Sequence, residues 1–198
     1  MDYMDQRPGL NSIAEYHSRI AEFLAIPNVL GLADQGDYFE AALLHQHYGY
    51  LERGVALVLK LGVPIRGTGR SVGHPWHGAK TLADFAGWVL RSDGLVIPVI
   101  FEAKRKDIAK GSKWQWQCSQ TRDHQRLAMQ LFERWLGGWG FQLVSLEDGG
   151  QILGDVRIVR GSQLVPGTSI DLRECPSVEL GLGCDWLPVA QEIFSEAL

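Results

Sequence analysis

The chain has 198 residues, of which 45% are hydrophobic and 21% charged, and its formal net charge is −4. This is the composition of an ordinary globular protein and excludes a disordered chain. The apolar stretches fall far short of the roughly 20 residues that a membrane-spanning helix needs, so we expect no membrane partner. The acidic N-terminus also lacks the features of a signal peptide, and we expect a cytoplasmic protein.

Charge is unevenly distributed along the sequence. Residues 53–83 carry five basic side chains and no acidic one, and residues 103–122 carry six basic side chains and one acidic one. From residue 145 onward, nine acidic side chains outnumber three basic ones. A basic centre with an acidic tail is the pattern of a protein that binds DNA locally, although an ordinary solvated surface gives similar counts.

The cysteines and histidines do not predict a zinc site. Cys118, Cys175 and Cys184 are odd in number and widely spaced, which favours free thiols over a disulfide framework. His45 and His47 lie two residues apart on a predicted helix and cannot face one ligand. We therefore expect no zinc.

The first half of the chain predicts two helices and a strand. Ser12 and Glu15 have the spacing of a capping box, and the apolar residues after them recur at helical intervals. The same periodicity predicts a second helix over residues 35–53. Residues 55–61 are rich in β-branched and apolar side chains and predict a strand.

A glycine-rich stretch follows over residues 66–80. It has no apolar periodicity and predicts an exposed loop or arm. Loops of this length are usually functional or disordered. Its basic side chains are Arg66, Arg70 and Lys80.

A β-hairpin is predicted after this stretch. Two strand-like runs over residues 81–90 and 95–103 are joined by a short Ser-Asp-Gly connection that suits a tight turn. A turn centred on this connection places Asp84 opposite Phe101 and beside Glu102. The hairpin therefore predicts that the two carboxylates meet.

The later elements are predicted from the same patterns. Residues 113–117 alternate aromatic and polar side chains and predict a strand or an ordered loop. The other elements are a helix at 123–135, strands at 141–146 and 154–159, and a terminal helix at 186–197. We divide the chain into an N-terminal helical extension at 1–30, a core at 31–146, and an acidic appendage packed on the core at 147–198.

The tryptophans divide into two groups. Trp76, Trp114 and Trp116 lie within the basic segments and could stack on unpaired bases. Trp88 and Trp135 are predicted to belong to the core. Burial remains the alternative for all of them.

Three side chains of the predicted hairpin could form a metal-dependent site. Strand alternation points Glu102 and Lys104 to the same side, and Asp84 joins them from the neighbouring strand. Carboxylate oxygens are hard ligands suited to Mg²⁺ or Mn²⁺. Lys104 could orient the attacking water and neutralise the phosphate. A Glu-x-Lys sequence alone is weak, because solvated surfaces produce it by chance.

At these residues the sequence resembles the RecU-type Holliday junction resolvases of the PD-(D/E)xK nuclease superfamily. The resemblance covers roughly residues 36–146. It includes five segments: Gly36-Asp-Tyr-Phe-Glu40, Leu59-Lys-Leu-Gly-Val-Pro64, Thr81-Leu-Ala-Asp-Phe-Ala-Gly87, Phe101-Glu-Ala-Lys104 and His124-Gln125.

The resemblance implies an α/β, restriction-endonuclease-like fold, with a central mixed β-sheet flanked by helices and a protruding arm. It implies a homodimer that cuts opposing strands of branched DNA. Glu40 would be a third metal ligand beside Asp84 and Glu102. Gln125 would contact the scissile phosphate or a water on the metal. An ordinary surface position is the alternative for Glu40 and Gln125.

We therefore expect a Mg²⁺- or Mn²⁺-dependent endonuclease that resolves four-way junctions. The basic side chains predicted to bind DNA are Lys60, Arg66, Arg70, Lys80, Arg105 and Lys106. One alternative is a restriction-like or repair nuclease that cuts linear DNA. Another is a junction-binding protein without catalysis, although nothing then favours holding two carboxylates against phosphate repulsion.

Overall fold

Strands rich in apolar side chains alternate with helices to give an α/β structure. This computed structural model describes residues 35–61, 82–109 and 114–195. The described helices are α1 (Gln35–Glu52), α2 (Asp123–Trp135) and α3 (Leu187–Ser195). The strands are β1 (Ala56–Lys60), β2 (Phe85–Leu90), β3 (Val96–Asp107), β4 (Gln115–Gln117), β5 (Trp139–Asp148), β6 (Gln151–Arg160), β7 (Ser169–Asp171) and β8 (Ser177–Glu179).

Two of the predicted elements lie outside the described residues. These are the helix after Ser12 and the arm at residues 66–80, with its three basic side chains. None of the described helices is long and apolar enough to cross a membrane.

The central sheet has six strands in the order β1-β2-β3-β5-β6-β8. Only the β3–β5 pair is parallel, and the other neighbours are antiparallel. Strands β4 and β7 form a separate two-stranded sheet. The expected α/β class with a mixed central sheet is confirmed. Strand β5 is buried along nearly its whole length because it is an interior strand covered on both faces.

Two apolar clusters cover the two faces of the sheet. On the first face, α1 packs against β1, and Phe85, Phe101 and Phe141 of three neighbouring strands belong to this cluster. On the second face, Ala128 and Met129 of α2 pack with residues of β3, β5 and β6. We refer to these as the α1 face and the α2 face. Each strand side chain points to one of them in alternation.

Glycine allows α2 to lie directly on the sheet. A Cβ atom at Gly140 of β5 would lie 2.0 Å from the backbone oxygen of Met129. That distance is far inside van der Waals contact. The short distance between helix and strand therefore depends on the missing side chain at this position.

Replacing Gly140 with alanine is expected to lower the free energy of unfolding by about 1–3 kcal/mol, the usual cost of an overpacked core. Gly181→Ala is the matched control, because a Cβ there would meet nothing within 4 Å. Chemical denaturation of both variants measures the difference. Equal stability of the two variants would contradict the close contact between α2 and β5.

The acidic tail continues the same sheet. The boundary predicted at residue 146 falls inside β5, and β6 and β8 extend the sheet beyond it. Trp186 is fully buried in the cluster on the α1 face. Tyr50 of α1 donates a hydrogen bond of 2.6 Å to Asp185. Residues 147–195 thus supply strands and core side chains to the structure.

The hairpin is confirmed, with a register one residue from the predicted one. Phe85, rather than Asp84, pairs with Phe101, and β2 begins at Phe85. Strand β3 extends beyond its hairpin partner to Asp107 because it also pairs with β5 as far as Glu147. The shift places Asp84 directly before β2 and next to Glu102.

The tryptophan predictions are wrong at Trp88 and Trp135, and at Trp116 the alternative of burial is confirmed. Trp88 and Trp135 are exposed, at 51% and 71%, although they were expected in the core. Trp116 is only 2% exposed and donates a hydrogen bond to Thr121, so it cannot stack on a base. Trp114 is partly buried against the cluster on the α2 face. The alternation of Trp114 and Trp116 therefore reflects packing of both side chains in the cluster on the α2 face.

Candidate active site

Asp84 and Glu102 are joined by reciprocal hydrogen bonds across the hairpin. The Asp84 amide donates to Oε2 of Glu102 over 3.0 Å. The Ala103 amide donates to Oδ2 of Asp84, also over 3.0 Å. Each carboxylate is held by the backbone beside the other, so the pair is fixed by the strand register. The predicted meeting of these two acids is present in the structure.

Two further side chains bind the same oxygen of Glu102. Lys104 and Gln125 both donate to its Oε1 atom. Strand alternation places Lys104 on the α2 face with Glu102, and Gln125 reaches the site from the first turn of α2. The Arg122 amide donates to Oε1 of Gln125 over 3.3 Å, which orients the Gln125 amide. Gln125 is buried, which excludes its interpretation as a surface residue.

The electrostatics of Glu102 oppose its ionisation. Its side chain is 1% exposed. Burial, followed by repulsion from Asp84, raises the pKa of Glu102 to about 7, although Lys104 acts in the opposite direction. One lysine therefore does not fully compensate two carboxylates. A cation bound between them would remove the remaining repulsion.

Glu40 lies apart from this pair. It forms an ion pair with Lys60, the last residue of β1. Alternation places Lys60 with Val58, which belongs to the cluster on the α1 face. The Leu61 amide donates to the backbone oxygen of Asp84, so the ion pair lies near the end of the same hairpin. The structure thus brings Asp84 and Glu102 together. The third predicted carboxylate, Glu40, is paired with Lys60.

The predicted DNA-binding side chains of β3 lie on opposite faces. Lys106 shares the α2 face with Glu102 and Lys104 by strand alternation. Arg105 points to the α1 face and lies 3.4 Å from a carboxylate oxygen of Glu147. Lys106 is therefore the better placed of the two to contact a substrate at Glu102. The predicted residues Arg66, Arg70 and Lys80 fall outside the described ranges.

The donor set fits a magnesium ion. Mg²⁺ is commonly held by one or two carboxylates, with water and substrate phosphates supplying the remaining oxygens. Asp84 and Glu102 supply two such groups. Within the described ranges, no cluster of three or more His, Cys, Asp and Glu side chains is arranged to hold a metal. The arrangement thus suits an ion that completes its coordination with substrate, and it does not suit a closed structural metal site.

Sequence reasoning missed two buried polar residues beside the site. Gln142 of β5 is the register partner of Glu102 and is 0% exposed. Thr121 donates a hydrogen bond of 2.7 Å to its Oε1 atom. A single glutamine within the apolar run Phe141-Gln-Leu-Val144 is the signal that marks it in the sequence.

Comparison of the chain with protein-family models and with curated proteins finds no match. The resemblance to junction resolvases therefore stays a prediction, and the interpretation of the site depends on its geometry and chemistry.

Proposed function

We propose that this protein is a metal-dependent DNA endonuclease that cuts branched DNA, with four-way junctions as its preferred substrate. The observation that carries the proposal is the hydrogen-bonded pair of Asp84 and the buried Glu102, with Lys104 on the same Glu102 carboxylate. Two acids and a lysine at one point have the chemistry needed for phosphodiester hydrolysis. Mg²⁺ or Mn²⁺ is the proposed cofactor.

Each residue of the site has a separate role in the proposed hydrolysis. A divalent cation on Asp84 and Glu102 would lower the pKa of a bound water and stabilise charge on the phosphate. Lys104 holds the attacking water or neutralises the developing negative charge. Gln125 keeps the Glu102 carboxylate in one orientation. The side chain of Lys104 is 24% exposed, so the site communicates with solvent at this residue.

The charge pattern supports a DNA partner. Lys104 and Lys106 lie on the face that carries the acids, within the basic segment at residues 103–122. Phosphate binding requires such local positive charge, while the net charge of −4 arises largely from the tail. Lys106 is therefore proposed to bind a backbone phosphate next to the cleaved bond.

A synthetic four-way junction and a linear duplex of matched sequence are the substrates that test the proposal. With Mg²⁺ or Mn²⁺ we expect paired, symmetrical nicks in the junction, and a loss of at least about 100-fold in Glu102→Gln. Faster cleavage of the duplex would favour the restriction-like or repair nuclease. Junction binding without any cleavage would favour the architectural protein. No binding or cleavage of either DNA would overturn the proposal.

We also propose that the enzyme is a homodimer, because resolving a junction requires two cuts and the described residues of each chain form one such site. An exposed apolar surface supports this. On the α2 face, strands β1 and β2 extend beyond the area that α2 covers. There they carry four exposed side chains, Leu57, Leu59, Trp88 and Leu90. Phe132 of α2 lines the same groove. Monomers rarely expose continuous apolar patches of this kind, so we propose it as the dimer contact.

Trp88→Lys is expected to convert the dimer into a monomer, because it places a charge in the centre of this surface. Leu182→Lys is the control, since Leu182 is similarly exposed but lies in the tail. Light scattering after size-exclusion chromatography measures the mass. A dimer that persists in Trp88→Lys would exclude this surface as the contact.

A further inference from the structure

Gln142 lies beside the acid pair in an apolar strand. It is the register partner of Glu102 in the parallel β3–β5 pair. Paired residues of neighbouring strands point to the same face and lie about 5 Å apart. Val144 and Leu146 of the same strand belong to the cluster on the α2 face, so Gln142 faces α2 together with Glu102.

The orientation of the Gln142 amide is fixed by a chain of hydrogen bonds. The indole Nε1 of Trp116 donates to the Thr121 hydroxyl over 3.3 Å. The Thr121 hydroxyl accepts this bond and donates its own hydrogen to Oε1 of Gln142, 2.7 Å away. The carbonyl oxygen of Gln142 therefore faces Thr121. Its NH₂ group faces away from Thr121.

The NH₂ group of Gln142 has no acceptor in the described part of the chain. A buried amide donor without a partner is costly, and an apolar residue of similar size would avoid that cost. Glu102 is the charged acceptor nearest in register on this face. The position of this fully buried donor beside a carboxylate indicates that the donor serves that carboxylate.

The hydrogen-bond donors available to Glu102 change when Lys104 turns to a substrate. In the structure its Oε1 atom accepts hydrogen bonds from Lys104 and Gln125. Lys104 cannot remain fully engaged with Glu102 while it also serves a phosphate or a water. When Lys104 turns to the substrate, the ionised carboxylate loses a donor. A neighbouring amide can replace it without adding charge.

We infer that Gln142 is a positioning residue that holds the Glu102 carboxylate through its NH₂ group while Glu102 binds a divalent cation. The inference rests on the proposed function, because it concerns the same acid pair. Residues that orient the ligands of a metal typically change its affinity by 10- to 100-fold when they are replaced. Gln142 would act in this way from the strand beside Glu102.

The test compares Gln142→Met with Ser145→Ala. Methionine keeps the volume of glutamine and removes the donor. Ser145 lies on the same strand and also has a buried, unpartnered side-chain oxygen, but alternation points it to the α1 face. Calorimetric titration with Mn²⁺ alone, thermal melting in EDTA, and junction cleavage are measured for both variants and for the natural sequence.

Gln142→Met is expected to weaken Mn²⁺ binding by at least about 10-fold and to lower the cleavage rate. Its melting temperature in EDTA is expected to change little, because the removal of an unpartnered donor offsets the loss of the hydrogen bond from Thr121. Ser145→Ala is expected to bind Mn²⁺ and cleave as the natural sequence does. This combination separates positioning from a structural role, which would lower the melting temperature together with binding.

Natural Mn²⁺ affinity in Gln142→Met would overturn the inference. So would equal weakening in Ser145→Ala, or a fall in binding that only accompanies a lower melting temperature. If methionine prevents folding, Gln142→Leu provides the same comparison. The proposed function fails separately, when the natural sequence itself neither binds Mn²⁺ nor cleaves DNA. Binding of Mn²⁺ without cleavage still decides the role of Gln142.

Discussion

Asp84→Asn is expected to abolish cleavage and, at the same time, to make the metal-free protein more stable. The carboxylates of Asp84 and Glu102 lie close together, and the repulsion between them contributes to raising the pKa of Glu102 to about 7. Asparagine keeps the oxygen that accepts from the Ala103 amide. Its NH₂ group can donate to the carboxylate of Glu102. The substitution thus replaces a repulsion with an attraction.

The sign and size follow from the titration of Glu102. Its pKa is higher in the folded protein than the ordinary value of 4.5, so the folded state becomes less stable as pH rises from 4.5 through about 7. At pH 8 that cost is fully present. Removing the Asp84 charge is expected to recover about 1–2 kcal/mol of unfolding free energy in EDTA. Cleavage should fall by at least about 100-fold.

Glu102→Gln is the matched comparison, because it removes one charge from the same pair. Three N–H donors converge on Glu102, from Asp84, Lys104 and Gln125. A glutamine must direct its own NH₂ group toward one of these donors. We therefore expect loss of cleavage without the gain in stability. Denaturation at pH 8 in EDTA and in Mg²⁺ distinguishes the variants. Lower stability of Asp84→Asn than of the natural sequence in EDTA would contradict the repulsion.

Acid is expected to destabilise the protein through His47. This residue of α1 is buried, and its Nε2 atom accepts a hydrogen bond of 3.1 Å from the indole of Trp186. An accepting nitrogen carries no proton, so the ring is neutral. Burial lowers the pKa of His47 to about 3, from an ordinary value of 6.5. The folded protein therefore resists protonation that the unfolded chain accepts.

The stability due to neutral His47 is fully present above pH 6.5. Between pH 6.5 and pH 3 the unfolded chain binds a proton that the folded protein does not, so stability falls with pH. We expect a loss of about 3 kcal/mol between pH 7 and pH 4 from this residue. Glu102 has the opposite sign between pH 7 and pH 4.5, because its pKa is raised on folding.

The difference between His47→Gln and the natural sequence isolates this contribution. Glutamine can still accept from Trp186 but does not titrate, so its unfolding free energy should depend less steeply on pH. Urea denaturation at a series of pH values supplies the curves. Parallel curves for His47→Gln and the natural sequence would refute the assignment.

The acid pair could be predicted from local sequence, because a hairpin turn nearly fixes its own register. The Ser-Asp-Gly connection and the two apolar runs were enough to bring Asp84 beside Glu102, with an error of one residue. The bounds of α2 were equally local: its apolar spacing and the glycines after it predicted Asp123–Trp135, as observed. The place of Gln125 in the site could be predicted only from the resemblance, because the local sequence does not show which strand end α2 lies over.

Long-range contacts could not be predicted from such patterns. Gln142 reaches the site only because β5 pairs in parallel with β3, across an intervening helix. The tail was predicted to be an appendage packed on the core because acidic side chains dominate its charge. Its apolar residues do not by themselves show that β6 and β8 extend the central sheet. Trp88 was assigned to the core from its residue type alone. Trp88 is exposed because it lies at the edge of the area of the sheet that α2 covers.

The contact of Trp186 with His47 has a consequence for biosynthesis. It joins residues separated by 139 positions, so the core on the α1 face lacks this fully buried tryptophan until nearly the whole described chain has been made. Phe101, directly before Glu102, packs against that indole. We therefore expect the acid pair to become rigid only after the last helix has been translated. A nascent chain from which α3 has not yet emerged would then carry no rigid acid pair.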